Sequence, residues 1–181
     1  MICGKLTECI EGEFSGCSLS TCDNLNRSGC IRSSDTRSNV QCEEKKKSYV
    51  LQNTAGNHVV NCKMDGGIIV TDRTVPEKTK KCDYMFVVKE QGKAAILIEL
   101  KGQDFSQAIK QIENTLVIYK NFFKTCSKVY GRIVGTSSAP KLRATPRYVN
   151  LATMLGRDYG GNLKTGERQK IEKDTELDEM A

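Results

Sequence analysis

Most apolar positions in the chain fall in short runs, and one stretch carries a clear helical period. Phe105, Ala108, Ile109, Ile112, Leu116, Tyr119 and Phe123 recur three or four residues apart, which predicts an amphipathic helix over 105–124. Gly102 breaks the chain before it, and Asp104 or Ser106 can cap its start. Two apolar runs, 84–88 and 94–100, lie just upstream, joined by Lys89-Glu90-Gln91-Gly92-Lys93. A connection of that length fits an antiparallel hairpin. Runs at 48–52 and 58–64 flank Asn53-Thr54-Ala55-Gly56-Asn57, whose Gly and Asn tolerate positive φ, so a second hairpin is predicted there. The charged stretch 41–47 reads as a short helical turn or a solvated linker. Residues 68–71 form a brief apolar run before a basic loop, 72–81, around Pro76. Further on, 128–136 alternates as a strand, 148–155 is a short helix, and the acidic end 172–181 reads as frayed. Strands mixed with helices in this order predict an α/β fold, a mixed central sheet flanked by helices.

Composition modifies this picture at the N-terminus. Cys3, Cys9, Cys17, Cys22 and Cys30 lie within residues 1–40 among Ser, Thr, Asn and Gly with few large apolar side chains. Such a segment buries little by itself, so 1–40 is expected to be a Cys-rich N-terminal extension and 41–181 the folded domain. The spacing C-x5-C-x7-C-x4-C-x7-C lacks the paired C-x2-C knuckles of common zinc modules, and zinc is not expected at these cysteines. No apolar run reaches the length of a membrane span and no apolar segment follows Met1, so no membrane contact, no secretory signal and a cytoplasmic location are expected. The nine cysteines are then expected as reduced thiols. A formal charge of +6 suits an anionic partner such as nucleic acid without requiring one. Basic groups at 45–47, 78–81 and 141–147 are candidate contacts to such a backbone.

Charge inside the apolar strands is the more specific signal. Asp83 opens the first run of the 84–100 hairpin, and Glu99-Leu100-Lys101 closes the second. Alternation places Glu99 and Lys101 on one face, and a hairpin centred on Gln91 sets Asp83 opposite Glu99. A slip of one residue would put Asp83 opposite Leu100 and dissolve the cluster. Charges at the end of a core strand are costly to desolvate unless they pair or meet a ligand. Gln107 and Gln111 lie one turn apart on the flank of the helix, near the end where Lys101 arrives. His58 is the only histidine, which removes any two-histidine site; beside Asn57 it reads as a surface turn residue. Asp65, in Asp65-Gly66-Gly67, reads as a turn residue as well.

Asp83, fifteen intervening residues, Glu99-x-Lys101 at a strand end, and a following helix with Gln107 and Gln111 together resemble the PD-(D/E)XK nuclease superfamily. The resemblance covers roughly 43–136. It implies a restriction-endonuclease-like, or Holliday-junction-resolvase-like, core and a metal-dependent hydrolase acting on nucleic acid, DNA in the first instance, as an endonuclease. Asp83 and Glu99 would bind magnesium, with manganese as a substitute, and the Leu100 carbonyl would complete the shell. Lys101 would orient the attacking water, with Gln107 and Gln111 contacting substrate. Glu43 or Glu44 would stand for the glutamate that many members bring from their first helix. Cys82 replaces the proline that usually precedes the aspartate. A homodimer is compatible with this reading, and a non-catalytic member of the same fold, binding nucleic acid or protein, is the alternative.

Overall fold

A computed structural model describes residues 6–17, 27–68, 79–101, 104–136 and 142–179. Nine strands form one mixed sheet: β1 (Ile31–Asp35), β2 (Asn39–Glu44), β3 (Lys47–Gln52), β4 (His58–Lys63), β5 (Tyr84–Lys89), β6 (Lys93–Leu100), β7 (Lys128–Gly135), β8 (Leu163–Glu167) and β9 (Gln169–Lys173). Their order is β1-β4-β5-β6-β7-β8-β9-β3-β2. The helices are α1 (Leu6–Ser15), the single turn α2 (Arg27–Cys30), α3 (Phe105–Ile118), the single turn α4 (Lys120–Phe123) and α5 (Pro146–Tyr159). The α/β class with a mixed sheet flanked by helices is therefore observed. Among the described residues no helix is long and apolar enough to cross a membrane.

Two apolar layers follow from strand alternation. Met85, Val87, Ala95, Leu97, Val129 and Ile133 point to the helical side and pack with α1, α3 and α5. Phe86, Val88, Ile96, Ile98, Tyr130 and Val134 point the other way and meet Val40, Tyr49 and Leu51 of β2 and β3. The sheet thus curls over itself at the corner between β8 and β9, where Glu167 pairs with Gln169 across the single residue Arg168. It curls until β2 returns to β4, where Asn61 Nδ2 donates to Gln41 O at 3.2 Å. The described part of the N-terminal forty residues belongs to this core. Leu6, Ile10 and Phe14, each four residues after the last, are buried on one stripe of α1, and β1 pairs antiparallel with β4. Few apolar residues suffice there because they share one helical face. Cys3 and Cys22 lie outside the described residues.

Several expectations are corrected. The runs 48–52 and 58–64 do not form a hairpin with each other: β3 pairs with β2 and, in parallel, with β9, whereas β4 pairs with β5 and β1. The connection is held between layers instead. Asp174 accepts from Thr54 N at 3.0 Å and Ala55 N at 2.9 Å, and Asn53 Nδ2 donates to Arg37 O at 3.1 Å. The stretch 41–47 is part of the β2–β3 hairpin, closed by Lys45 at φ 48° and Lys46 at φ 63°. Non-glycine residues at such angles cost about 1–2 kcal/mol each. The acidic end is not frayed up to Glu179: Glu172, Asp174 and Leu177 are buried. The predicted long helix is interrupted at Tyr119, between α3 and α4.

Glu172 accounts for the order of that end. It accepts from Arg132 through Nε at 2.6 Å and Nη2 at 3.1 Å, from Lys164 Nζ at 2.7 Å and from the Tyr49 hydroxyl at 3.0 Å. Burial by itself would raise its pKa, but Arg132 and Lys164 outweigh burial and hold it below the usual range. The network joins β3, β7, β8 and β9 across the second apolar layer. Removing one partner of a buried pair costs about 3–5 kcal/mol, whereas exchanging both for apolar residues is far milder. Glu172→Gln should therefore lower stability by about 3–5 kcal/mol in urea unfolding, and Arg132→Met/Lys164→Met/Glu172→Leu should recover most of the loss. A change below about 1 kcal/mol for Glu172→Gln would show that the network does not hold the layers together.

Candidate functional site

β5 and β6 pair antiparallel with Tyr84 opposite Ile98, so the next step of the register sets Asp83 opposite Glu99. This is the even register on which the cluster depends. Asp83 is 8% exposed, and its Oδ2 accepts from Leu100 N at 2.7 Å. Glu99 is fully buried. Its Oε1 stands 3.2 Å from Lys101 Nζ without hydrogen-bond alignment, and that oxygen has no hydrogen-bond donor. Lys101 leaves β6 with its backbone N donating to Val134 O at 2.8 Å, and its side chain turns back to Gln111 Oε1 at 2.5 Å.

Helix α3 fixes this arrangement. Asp104 caps it by accepting from Gln107 N at 2.9 Å. The Phe105 ring lies where a side chain at Gly135 would stand, with its Cζ 2.3 Å from the Cβ position, so the absence of a side chain there lets the helix start against β7. One turn on, Gln111 Nε2 donates to Lys81 O at 2.8 Å and to Glu99 Oε2 at 3.3 Å. These partners decide which end of the amide faces Lys101. Thr115 Oγ1 accepts from Cys82 N at 2.8 Å and donates to Gln111 O at 2.7 Å, and Asn114 Nδ2 donates to Lys80 O at 3.1 Å. The helix thus grips the chain just before Asp83. Gln107 is not drawn into the cluster: its side chain makes no hydrogen bond to it among the described residues, and Gln111 alone of the two glutamines joins Asp83, Glu99 and Lys101.

On the other side of the strand ends, Glu44 is the glutamate that comes near. Its Oε2 accepts from Lys63 Nζ at 3.1 Å, while the Glu43 carbonyl accepts from the Tyr84 hydroxyl at 3.3 Å. Lys63 also lies 4.2 Å from the centre of the Tyr84 ring. Burial is the largest influence on Lys63 and would lower its pKa, but the bond to Glu44 together with the negative groups Tyr84, Glu44 and Asp83 outweighs burial and raises it. Glu44 comes from a strand rather than from a helix. Asp65 lies in the turn after β4, whose backbone bonds to Asp83 O and Cys82 O, and its carboxylate is 4.0 Å from Lys81 Nζ. The sequence pattern does not single out Lys63, Thr115 or Asn114. Thr115 and Asn114 lie one turn beyond Gln111 and are readable as the continuation of that flank, but Lys63 has no such signal.

No protein-family model, curated protein or solved structure matches the chain. The chemistry of the cluster therefore rests on its own geometry. Burial, followed by the charge of Asp83, pushes the Glu99 carboxyl up to about 8. Burial also raises Asp83; the Leu100 N–H opposes the rise and Glu44 adds to it. Asp83 and Glu99, hard and poorly solvated, one with an oxygen lacking a hydrogen-bond donor, are the groups here that could hold a divalent cation. Among the described residues no group of three or more His, Cys, Asp or Glu is arranged to hold a metal. Buried Cys42 and Cys82 have their thiols raised by burial and act as packing residues.

The Glu99 shift has a sign. Its folded pKa of about 8 lies above the ordinary 4.5, so the fold retains a proton that the unfolded chain releases. That contribution is complete below about 4.5 and is lost as pH rises to about 8. In chelator, stability should fall by a few kcal/mol across this window. Glu99→Gln should flatten the dependence and unfold at higher temperature than the parent at pH 8.5, as read by thermal scans at pH 5 and 8.5. Parallel pH profiles for the two proteins would show that Glu99 titrates normally.

Proposed function

We propose that the chain is a metal-dependent nuclease with a restriction-endonuclease-like core, hydrolysing phosphodiester bonds of nucleic acid, DNA in the first instance. The observation that carries this reading is the meeting of Asp83, Glu99 and Lys101 at one strand end, with Lys101 Nζ 3.2 Å from Glu99 Oε1. Asp83 and Glu99 would hold magnesium, with manganese as a substitute. When bound, such a cation lowers the pKa of its water and stabilises charge on the phosphoryl oxygens.

The chain's own groups divide the remaining work. The Leu100 N–H holds Asp83 Oδ2 and so fixes the carboxylate that would take the cation. Lys101 presents an N–H beside Glu99, where it orients the attacking oxygen and offsets charge on the phosphate. Gln111 is a positioning residue, since its amide links Lys101, Glu99 and Lys81 O. Lys81 and Lys63 add positive charge around the carboxylates. Of the basic groups expected to meet the nucleic-acid backbone, Lys78 and Lys141 lie outside the described residues.

Supercoiled plasmid incubated with the protein and magnesium should be nicked or cut. Lys101→Ala should lower the rate by about 100-fold or more while leaving the thermal midpoint within a few degrees of the parent. Cleavage by Lys101→Ala at the parent rate would overturn the assignment. Salt-dependent binding without turnover under any divalent cation would select the non-catalytic reading.

A further inference from the structure

The register places many strand ends on one rim of the curled sheet. Leu100 pairs with Val134, Val134 with Gly166, Glu167 with Gln169, Gln169 with Ser48 and Lys47 with Glu44. Glu44 then meets Lys63, and Lys63 pairs with Tyr84 beside Asp83. The carboxylate cluster and the turns β2–β3 and β8–β9 therefore share this rim.

Those two turns have a common peculiarity. Among the described residues the non-glycine positions with positive φ are Lys45 at 48°, Lys46 at 63° and Arg168 at 52°. All three are cations. Lys45 and Lys46 are the whole connection between β2 and β3, and Arg168 is the whole connection between β8 and β9. Asn-Gly in the first turn and Gly or Asn in the second adopt these angles with less strain. The turns are also neighbours: Ser48 N, in β3 just after the first turn, donates to Arg168 O at 3.0 Å, and Arg168 N is held by Gly135 O of β7 at 2.7 Å. Their side chains are exposed. Lys45 Nζ reaches only to 3.9 Å from Glu44 Oε1, and Lys46 and Arg168 form no ion pair among the described residues. From the end of β6 to the end of β8 is two strand spacings, roughly 10 Å, or about three rises along a nucleic-acid strand.

We infer that the two turns form a clamp for a phosphodiester backbone, in which Lys45, Lys46 and Arg168 hold the strand flanking the bond presented to Asp83 and Glu99. This rests on the nucleic-acid reading above but not on turnover. The three cations are exposed at the turns of this rim, and a relaxed Asn or Gly there would lose the charge.

The full chain is titrated in chelator against labelled duplexes of about 20 base pairs, one DNA and one RNA, over a range of salt. Lys45→Asn/Lys46→Gly/Arg168→Asn should melt no lower than the parent, since its turns are relaxed. Its affinity should fall at least about tenfold, and the slope of log affinity against log salt should become shallower by about 0.9 for each phosphate left without its cation, roughly two to three in all. Lys120→Asn/Lys124→Asn/Lys173→Asn removes the same charge near the opposite ends of the strands and should leave affinity within about twofold. The clamp is overturned if the turn variant binds like the parent, if the control loses as much, or if the parent binds neither duplex. Loss of binding in the turn variant with no plasmid cleavage by the parent removes the nuclease reading alone. Cleavage by the parent with unaltered binding by the turn variant removes the clamp alone. The DNA and RNA arms identify the polymer.

Discussion

The bond on which the architecture depends is the bidentate pair between Arg132 and Glu172. Arg132 is fully buried on β7, facing away from the helices, and an arginine in that position cannot be left without a counter-charge. Glu172 supplies it from β9 and also accepts from Lys164 and Tyr49. Apolar contact alone would let the outer strands slide over the central ones, because the layer between them is lined mainly by smooth aliphatic and aromatic groups. The directional ion network removes that freedom. With β9 fixed, β3 is fixed beside it in parallel, and β2 follows through its hairpin. Glu44 and the two cationic turns then arrive at the strand end that carries Asp83 and Glu99.

Local pattern explains why part of this is legible in the sequence. The helix Phe105–Ile118, the β5–β6 hairpin and its register depend on periodicity and on a short connection, both of which are local. The Asp83, Glu99, Lys101 and Gln111 cluster is accessible for the same reason, since its members lie within two strands and the next helix. The partners of β3 are not. A turn rich in Asn and Gly beside two apolar runs favours a hairpin, but Asp174, more than a hundred residues away, binds that turn and directs it between layers. Likewise Glu172-Lys173-Asp174 looks like a solvated acidic tail until the buried cations that require it are known. Lys45-Lys46 reads as a helical turn or linker because lysine is a poor marker of a type I′ turn.

The site and the framework use charge in opposite ways. Glu172 is buried among cations and its proton affinity is lowered, so its ionisation supports the fold near neutral pH. Glu99 is buried next to Asp83 and its proton affinity is raised, so its ionisation works against the fold. Lys101 and Gln111 lie close to Glu99 but leave Oε1 without a hydrogen-bond donor. The two carboxyls are therefore held side by side, at the expense of Glu99 ionisation, by surrounding structure: the Leu100 N–H on Asp83, the helix α3 on Lys81 and Cys82, and the ladder between β5 and β6.

The same opposition extends along the rim. Backbone strain at Lys45, Lys46 and Arg168 and carboxylate crowding at Asp83 and Glu99 are different costs, one conformational and the other electrostatic. Both occur at strand ends brought together by the curl of a single sheet and close to cations, the turns exposed and the carboxylates buried. A framework selected only for stability would place Asn or Gly in the turns and a neutral residue at position 99. The arrangement is intelligible if a phosphodiester bearing negative charge and a divalent cation occupy that rim together, since the first compensates the cationic turns and the second the paired carboxylates. Neither ligand alone would answer both charges, so the proposed nuclease and a purely electrostatic binding module part ways at Asp83 and Glu99 rather than at the turns.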